Sequence, residues 1–219
     1  MHKFADYMHN NAHVKRVPYS CGEVPVSSYV CVYCGSSSGV RAEYAAVARR
    51  FAAALVRRGL GLVYGGGSVG LMGVLADATL HAGGEVIGVI PRALVDRELA
   101  HFGLTELRIT ESMHERKALM ADLADAFVAL PGGIGTLEEL FEIWTWAQLG
   151  LHRKPCGVLD ALGYYGGLVS FLDHATLEGF VRPQHRAILL IAHEPEELLE
   201  QLLRYQAPAI EPSLRRTET

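Results

Sequence analysis

A chain of 219 residues, half of them hydrophobic and with a formal net charge of −4, has the size and apolar content for one α/β domain with its own core. The acidic balance speaks against a nucleic-acid partner, which usually demands a basic face. No apolar run reaches the roughly 18 residues of a membrane span.

The first 28 residues are polar, carry His2, His9 and His13, and have no apolar h-region. They are read as a mobile N-terminal extension (1–28) rather than a secretory signal, and the chain as cytoplasmic. Strands are predicted at 29–34, 60–64, 85–90, 104–109, 126–130 and 156–160. Helices are predicted at 41–58, 69–82, 112–124, 136–149, 164–178 and 195–205. Gly59, Gly83 and Gly150 follow three of these helices at the position where a left-handed residue ends them. Continuous apolar strands between amphipathic helices predict a single doubly wound, mainly parallel sheet with helices on both faces, Rossmann-like, over 29–205. Residues 206–219 form a C-terminal tail. Four cysteines are present. Cys31 and Cys34 make a C-x-x-C inside a strand, no second pair follows at zinc spacing, and Cys21 and Cys156 stand alone. Buried thiols in a reducing compartment are the expected reading, with no metal.

Ligands of such a sheet lie at the carboxyl ends of its strands. Three loops there share a chemistry: 35–39 (Gly-Ser-Ser-Ser-Gly), 65–70 (Gly-Gly-Gly-Ser-Val-Gly) and 132–136 (Gly-Gly-Ile-Gly-Thr). Each is rich in Gly and hydroxyl residues and feeds a helix, a pattern suited to a nucleotide-like ligand. The plainer alternative is that tight βα turns favour Gly and Ser. Residues 65–70 also fit G-x-G-x-x-G, but a dinucleotide site wants an acid at the end of the next strand, and Glu85 sits at its start. An NAD site is disfavoured.

The third loop carries most of the argument. Pro131-Gly132-Gly133-Ile134-Gly135-Thr136-Leu137-Glu138-Glu139 follows the apolar run Ala126–Leu130. Glycines admit a ligand close to the backbone, and the following helix offers free N–H groups and a positive dipole end to a phosphate. Glu139 is expected in the first helical turn, beside that phosphate. Ser112-Met113-His114-Glu115 reads as a capping box opening another helix. From Arg116 that helix descends about 12 Å to Ala124, and the strand from Ala126 climbs back about 13 Å to Leu130. Arg116 therefore returns to the ligand edge, near Glu139. Two alternatives stay open: Thr136–Glu139 is itself a capping box, and Arg116 with Lys117 can form a solvated face.

The segments Pro131–Glu139 (P-G-G-x-G-T-x-x-E) and Met113-His114-Glu115-Arg116-Lys117, together with 34–38 and 65–73, resemble the LONELY GUY (LOG) phosphoribohydrolases, a family long labelled "possible lysine decarboxylases". The resemblance runs from about Tyr29 to about Leu203. It implies hydrolysis of the N-glycosidic bond of an adenine-type nucleoside 5′-monophosphate (AMP or a cytokinin riboside 5′-monophosphate) to free base and ribose 5-phosphate. It implies catalytic roles for Arg116 and Glu139. Phosphate and nucleotide contacts fall to Gly132, Gly133, Gly135, Thr136, Ser36, Gly66, Gly67, Met72 and Lys117, as well as to the catalytic pair. No cofactor is implied. The competing readings are a non-catalytic nucleotide-binding protein and a pyridoxal-phosphate decarboxylase. The latter needs a Schiff-base lysine, for which only Lys117 qualifies.

The helix 136–149 also bears on assembly. Leu137, Leu140, Phe141, Trp144 and Ala147 suit a core face, while Ile143, Trp146 and Leu149 fall outside that stripe. A second partner is expected to cover them, and a homodimer or larger homo-oligomer is the expected solution, in line with the resemblance.

Overall fold

The computed structural model describes residues 28–95 and 100–208. The expected extension 1–28 (save Ser28), the tail beyond Pro208 and Cys21 lie outside the described residues. Within them the chain alternates strand and helix: β1 Ser28–Tyr33, α1 Ala42–Arg57, β2 Leu60–Tyr64, α2 Gly70–His81, β3 Val86–Pro91, a short α3 Arg92–Val95, β4 Glu106–Thr110, α4 Met113–Leu123, β5 Ala126–Ala129, α5 Ile134–Gln148, β6 Cys156–Leu159, a 3₁₀ turn Ala161–Gly163, α6 Gly166–Leu177, a short α7 Pro183–Arg186, β7 Leu189–Ala192 and α8 Pro195–Arg204.

All seven strands are parallel, in the order β4-β3-β2-β1-β5-β6-β7. The order reverses between β1 and β5, which pair Val30 with Ala126 and Tyr33 with Ala129. That reversal opens a crevice above the carboxyl ends of the two strands, the usual ligand position in such sheets. Strand side chains alternate between two cores. Val30, Val32, Leu62 and Tyr64 pack with Phe51 and Leu55 of α1, Leu75 of α2 and Leu198 of α8. Tyr29, Cys31, Val63 and Phe127 pack with Met120 of α4, Leu140 and Trp144 of α5 and Leu172 of α6. Helices thus cover both faces, and the doubly wound expectation holds. Cys31 and Cys34 belong to opposite cores, so the C-x-x-C does not converge on one point.

The helix stops work as expected. Gly59, Gly83 and Gly150 have φ of +67°, +79° and +76°, the left-handed conformation that closes a helix without a Cβ penalty. Three expectations change. The run around Leu189–Ala192 is a seventh strand, which a short apolar stretch does not distinguish from buried helix by periodicity. The helix expected at 136–149 starts at Ile134, with Gly133 as its N-cap. Ile143, expected to need an outside partner, is 2% exposed and buried within the chain. Trp146 packs against the same core, leaving Leu149 exposed. Loop 151–155 folds back under α5, where His152 Nε2 contacts the Ile143 carbonyl at 2.9 Å.

Candidate active site

The three glycine-rich loops meet at the β1/β5 switch point. The Gly35 N–H donates to the Pro131 carbonyl at 3.0 Å, joining the first loop to the third. The Gly35 carbonyl accepts from Leu71 N–H at 3.0 Å and Met72 N–H at 3.4 Å. The second loop is joined as well, but two of the first free amides of α2, those of Leu71 and Met72, are consumed inside the protein. The loops are therefore not equivalent for an anion, although their compositions suggested it. In α5 the intrahelical ladder begins with Leu137 N–H to Gly133 O at 3.1 Å. The N–H groups of Ile134, Gly135 and Thr136 precede that ladder. Gly133, Ile134 and Gly135 are exposed, while Thr136 is buried. A 15-residue helix with this open first turn presents the positive end of its dipole to the crevice.

The α5 start at Ile134 also decides a local ambiguity. Thr136 lies inside the helix, so Thr136–Glu139 is not a capping box. Glu139 belongs to the second turn rather than the expected first. Side chains on a helix tilt toward its N-terminus, so the carboxylate still reaches back toward the loop. It meets Arg116, whose Nη1 lies 3.4 Å from Glu139 Oε1, with the two side chains only 9% and 12% exposed.

Arg116 is fixed by its helix and by two strand ends. Ser112 caps α4, its hydroxyl accepting from Glu115 N–H at 3.2 Å, while the Glu115 carboxylate accepts from Glu111 N–H at 2.9 Å. This is the expected capping box with its return bond moved one residue upstream. Arg116 Nε donates to the Val89 carbonyl at 3.1 Å and Nη2 to the Gly65 carbonyl at 3.4 Å. The guanidinium thus spans the carboxyl ends of β2 and β3 and turns its remaining edge to Glu139. Burial pushes the Glu139 carboxyl above its ordinary value, and the Arg116 charge pulls it back in part.

Lys117, one residue on, faces elsewhere. Its Nζ lies 2.6 Å from Glu138 Oε1 and 2.9 Å from Glu142 Oε2, tying α4 to α5. Burial depresses its pKa, but the two carboxylates outweigh that and leave it raised. Gly66 and Gly67 are buried under segment 100–101: the Gly66 carbonyl accepts from His101 N–H at 2.9 Å and Gly67 pairs with Ala100. Met72 is half-buried beside Gly65 and Ser36 is exposed on the first loop. Glu85 lies at the opposite edge of the sheet, accepting from the Tyr29 hydroxyl.

Sequence reasoning missed two features. One is Gly65, where a Cβ would fall 2.0 Å from Arg116 Nη2; the glycine makes the room that the guanidinium occupies. The other is the pair Tyr164 and Tyr165, whose hydroxyls donate to the Gly132 and Leu130 carbonyls at 2.6 and 2.7 Å. The available signal was two adjacent tyrosines after a strand at the ligand edge.

Residues 72–202, more than half of the chain, match the family model described as "Possible lysine decarboxylase". The cytokinin riboside 5′-monophosphate phosphoribohydrolase LOG7 of Arabidopsis thaliana is 51% identical over 177 residues, covering 81% of this chain and 82% of its own. The chain belongs to the LONELY GUY family. The cytokinin riboside 5′-monophosphate phosphoribohydrolase LOG of Oryza sativa subsp. japonica is likewise 51% identical, over 80% of this LOG chain and 73% of its own. Among solved structures, the molybdenum cofactor carrier protein of Chlamydomonas reinhardtii superposes with a TM-score of 0.62 at 19% identity, covering 81% of this chain and 99% of that one. The molybdenum cofactor binding protein of Rippkaea orientalis gives 0.61 at 20% identity, covering 80% and 95%. At that identity the likeness concerns the Rossmann-type fold alone.

Proposed function

We propose that this LOG chain hydrolyses the N-glycosidic bond of an adenine-type nucleoside 5′-monophosphate, either AMP or a cytokinin riboside 5′-monophosphate, to the free base and ribose 5-phosphate. The observation that carries the reading is the buried Arg116–Glu139 pair set beside the open first turn of α5. The relatives' names supply the reaction, and the chain covers most of their length.

In this reading the N–H groups of Gly133, Gly135 and Thr136, with the Thr136 hydroxyl, hold the phosphate, and Gly132 lets the backbone come close. Ser36, Gly66, Gly67 and Met72 line the nucleotide side. As the C1′–N bond breaks, its electron pair goes to the base and positive charge gathers on the ribose. The Glu139 carboxylate stabilises that charge and takes the proton of the water that adds to C1′; the proton can then pass to the leaving base. Arg116 holds Glu139 in place and in its ionised form. Lys117 acts through Glu138 and Glu142, next to Glu139 on α5, more than by direct contact with substrate.

A non-catalytic nucleotide-binding protein has little use for a buried carboxylate near a phosphate cradle, since it repels the ligand it should hold. A Schiff-base decarboxylase needs a lysine that is readily neutral, and Lys117 is held protonated by two carboxylates. The deciding experiment is incubation with a panel of nucleoside 5′-monophosphates and the matching nucleosides, followed by chromatography for free base. Adenine or an N6-substituted adenine is expected from the 5′-monophosphate and scarcely from the nucleoside, which forfeits the phosphate binding energy. Equal rates on the two substrates count against the cradle, and no release at all favours the binding protein.

The homodimer and a cytoplasmic location belong to the same reading. The α5 argument for a second subunit is weakened by the internal burial of Ile143. Support now comes from α6 and the turn after it, where Phe171, Leu177 and Phe180 are 61%, 85% and 87% exposed. Such apolar exposure favours a self-complementary two-fold contact. Light scattering is expected to give a multiple of 23.9 kDa, and the single-chain mass at low micromolar concentration rejects it. Cys31, Cys34 and Cys156 are free and buried, as suits a reducing compartment. No helix among the described residues is long and apolar enough to cross a membrane.

A further inference from the structure

The third loop is gripped by its carbonyls. The Leu130 carbonyl accepts from the Tyr165 hydroxyl at 2.7 Å, the Pro131 carbonyl from Gly35 N–H at 3.0 Å, and the Gly132 carbonyl from the Tyr164 hydroxyl at 2.6 Å. Three successive acceptors are thereby directed into protein donors. A peptide unit is planar and trans, so its N–H points opposite its C=O. Anchoring the Gly132 carbonyl on Tyr164 therefore fixes the Gly133 N–H in the opposite direction. The same grip keeps carbonyl lone pairs from facing an anion at the start of α5.

The two tyrosines are themselves held in place. Asp160, at the end of β6, is 4% exposed, and its Oδ1 accepts from Tyr165 N–H at 2.6 Å. The chain then turns through Leu162 and Gly163 with φ of +58° and +72°. Left-handed backbone is unfavourable at a leucine, and here it delivers Tyr164 and Tyr165 to the loop. The two rings meet edge-on at 4.8 Å, and Tyr44 of α1 meets Tyr164 edge-on at 5.6 Å.

We propose that Tyr164 is a positioning residue for the phosphate group: its hydroxyl orients the Gly132–Gly133 peptide so that the Gly133 N–H is directed at the anion, whereas Tyr165 holds the Leu130–Pro131 peptide, which has no N–H to offer. The proposal rests on the phosphate reading of the third loop and extends it to a residue outside the loop. Neither tyrosine is required to touch the substrate.

The test uses Tyr164→Phe, which keeps the ring and removes the hydroxyl, with Tyr165→Phe as the comparison at a peptide that has no N–H. For Tyr164→Phe, KM for AMP and the inhibition constant of ribose 5-phosphate are expected to rise about 5- to 10-fold, the scale of one lost hydrogen bond, and for Tyr165→Phe by no more than about twofold. Turnover at saturation should change by no more than about twofold. Inhibition by adenine, which has no phosphate, should keep its constant. If Tyr164→Phe retains the KM and the ribose 5-phosphate constant, or Tyr165→Phe shifts them as far, the Gly133 N–H is not what the hydroxyl positions and the proposal fails. If adenine and ribose 5-phosphate weaken together with a lower melting temperature, the hydroxyls are merely structural and the proposal fails equally. Should the unaltered protein release no base, the hydrolase reading is what falls. Calorimetric binding of ribose 5-phosphate to the three proteins then still decides the role of the hydroxyls.

Discussion

Glu139→Gln is expected to lower turnover of the 5′-monophosphate by at least about 100-fold, the usual scale for a positioned acid–base or electrostatic group. The amide keeps the volume and one oxygen for Arg116 Nη1, so the protein should stay folded. Arg116→Ala should cost at least as much in rate and more in stability. It strips the counter-charge from a carboxylate only 12% exposed, a kind of loss worth about 3–5 kcal/mol in buried pairs unless the carboxyl takes up a proton instead. The pH profile separates the roles. Burial raises the Glu139 pKa, so the acid limb of kcat/KM should have its midpoint above the ordinary 4.5, and Glu139→Gln should abolish that limb. Stability follows the same sign. A carboxyl raised in the folded state contributes most below its unfolded pKa and loses that contribution as pH rises through the folded one. Glu139→Gln therefore relieves a burial cost at neutral pH while leaving Arg116 a hydrogen-bond partner without its counter-charge. A Glu139→Gln protein with full activity and a lowered melting temperature would make the residue structural.

The sheet, the helix ends and the crevice were legible because they rest on local rules: apolar runs between amphipathic stretches, glycine after a helix, ligands at strand carboxyl ends. The nearness of Arg116 and Glu139 was legible too, since a helix descending and a strand climbing by equal lengths return to one level. Side-chain direction was not. Arg116 and Lys117 are adjacent in sequence, yet one turns to Val89, Gly65 and Glu139 and the other to Glu138 and Glu142. A helix separates neighbours by about 100°, and only the packing of α4 on the sheet decides which of them faces the crevice. The three loops looked alike because composition does not record which amides a neighbouring carbonyl has taken; the Gly35 carbonyl takes those of Leu71 and Met72 in α2. The tyrosine braces come from the turn between β6 and α6, far along the chain, and a contact of that sequence separation leaves no local pattern.

Gly65→Ala is expected to inactivate the protein nearly as fully as Arg116→Ala without unfolding it. The new Cβ would stand 2.0 Å from Arg116 Nη2, 3.3 Å from its Cζ and 3.4 Å from Met72 Sδ. The closest obstacle is the tip of a flexible side chain, so the guanidinium should leave while the strand stays. Once displaced, it loses the Gly65 carbonyl and its hold on Glu139 together. The rate should fall by about 100-fold, the lower end of the range for losing a pre-organised group at the reacting centre, for a melting-temperature loss of a few degrees. Gly132→Ala offers the contrast. There the Cβ would meet Thr136 Oγ1 at 2.1 Å and the Gly35 backbone N at 2.8 Å, so the loop itself has to move. A double mutant isolates the cause, because residues acting through one contact are not additive. If Gly65 matters only by giving Arg116 its room, Gly65→Ala combined with Arg116→Ala should be no slower than Arg116→Ala alone. Rate losses that multiply in the double mutant would mean that Gly65 serves the substrate directly, through its own backbone.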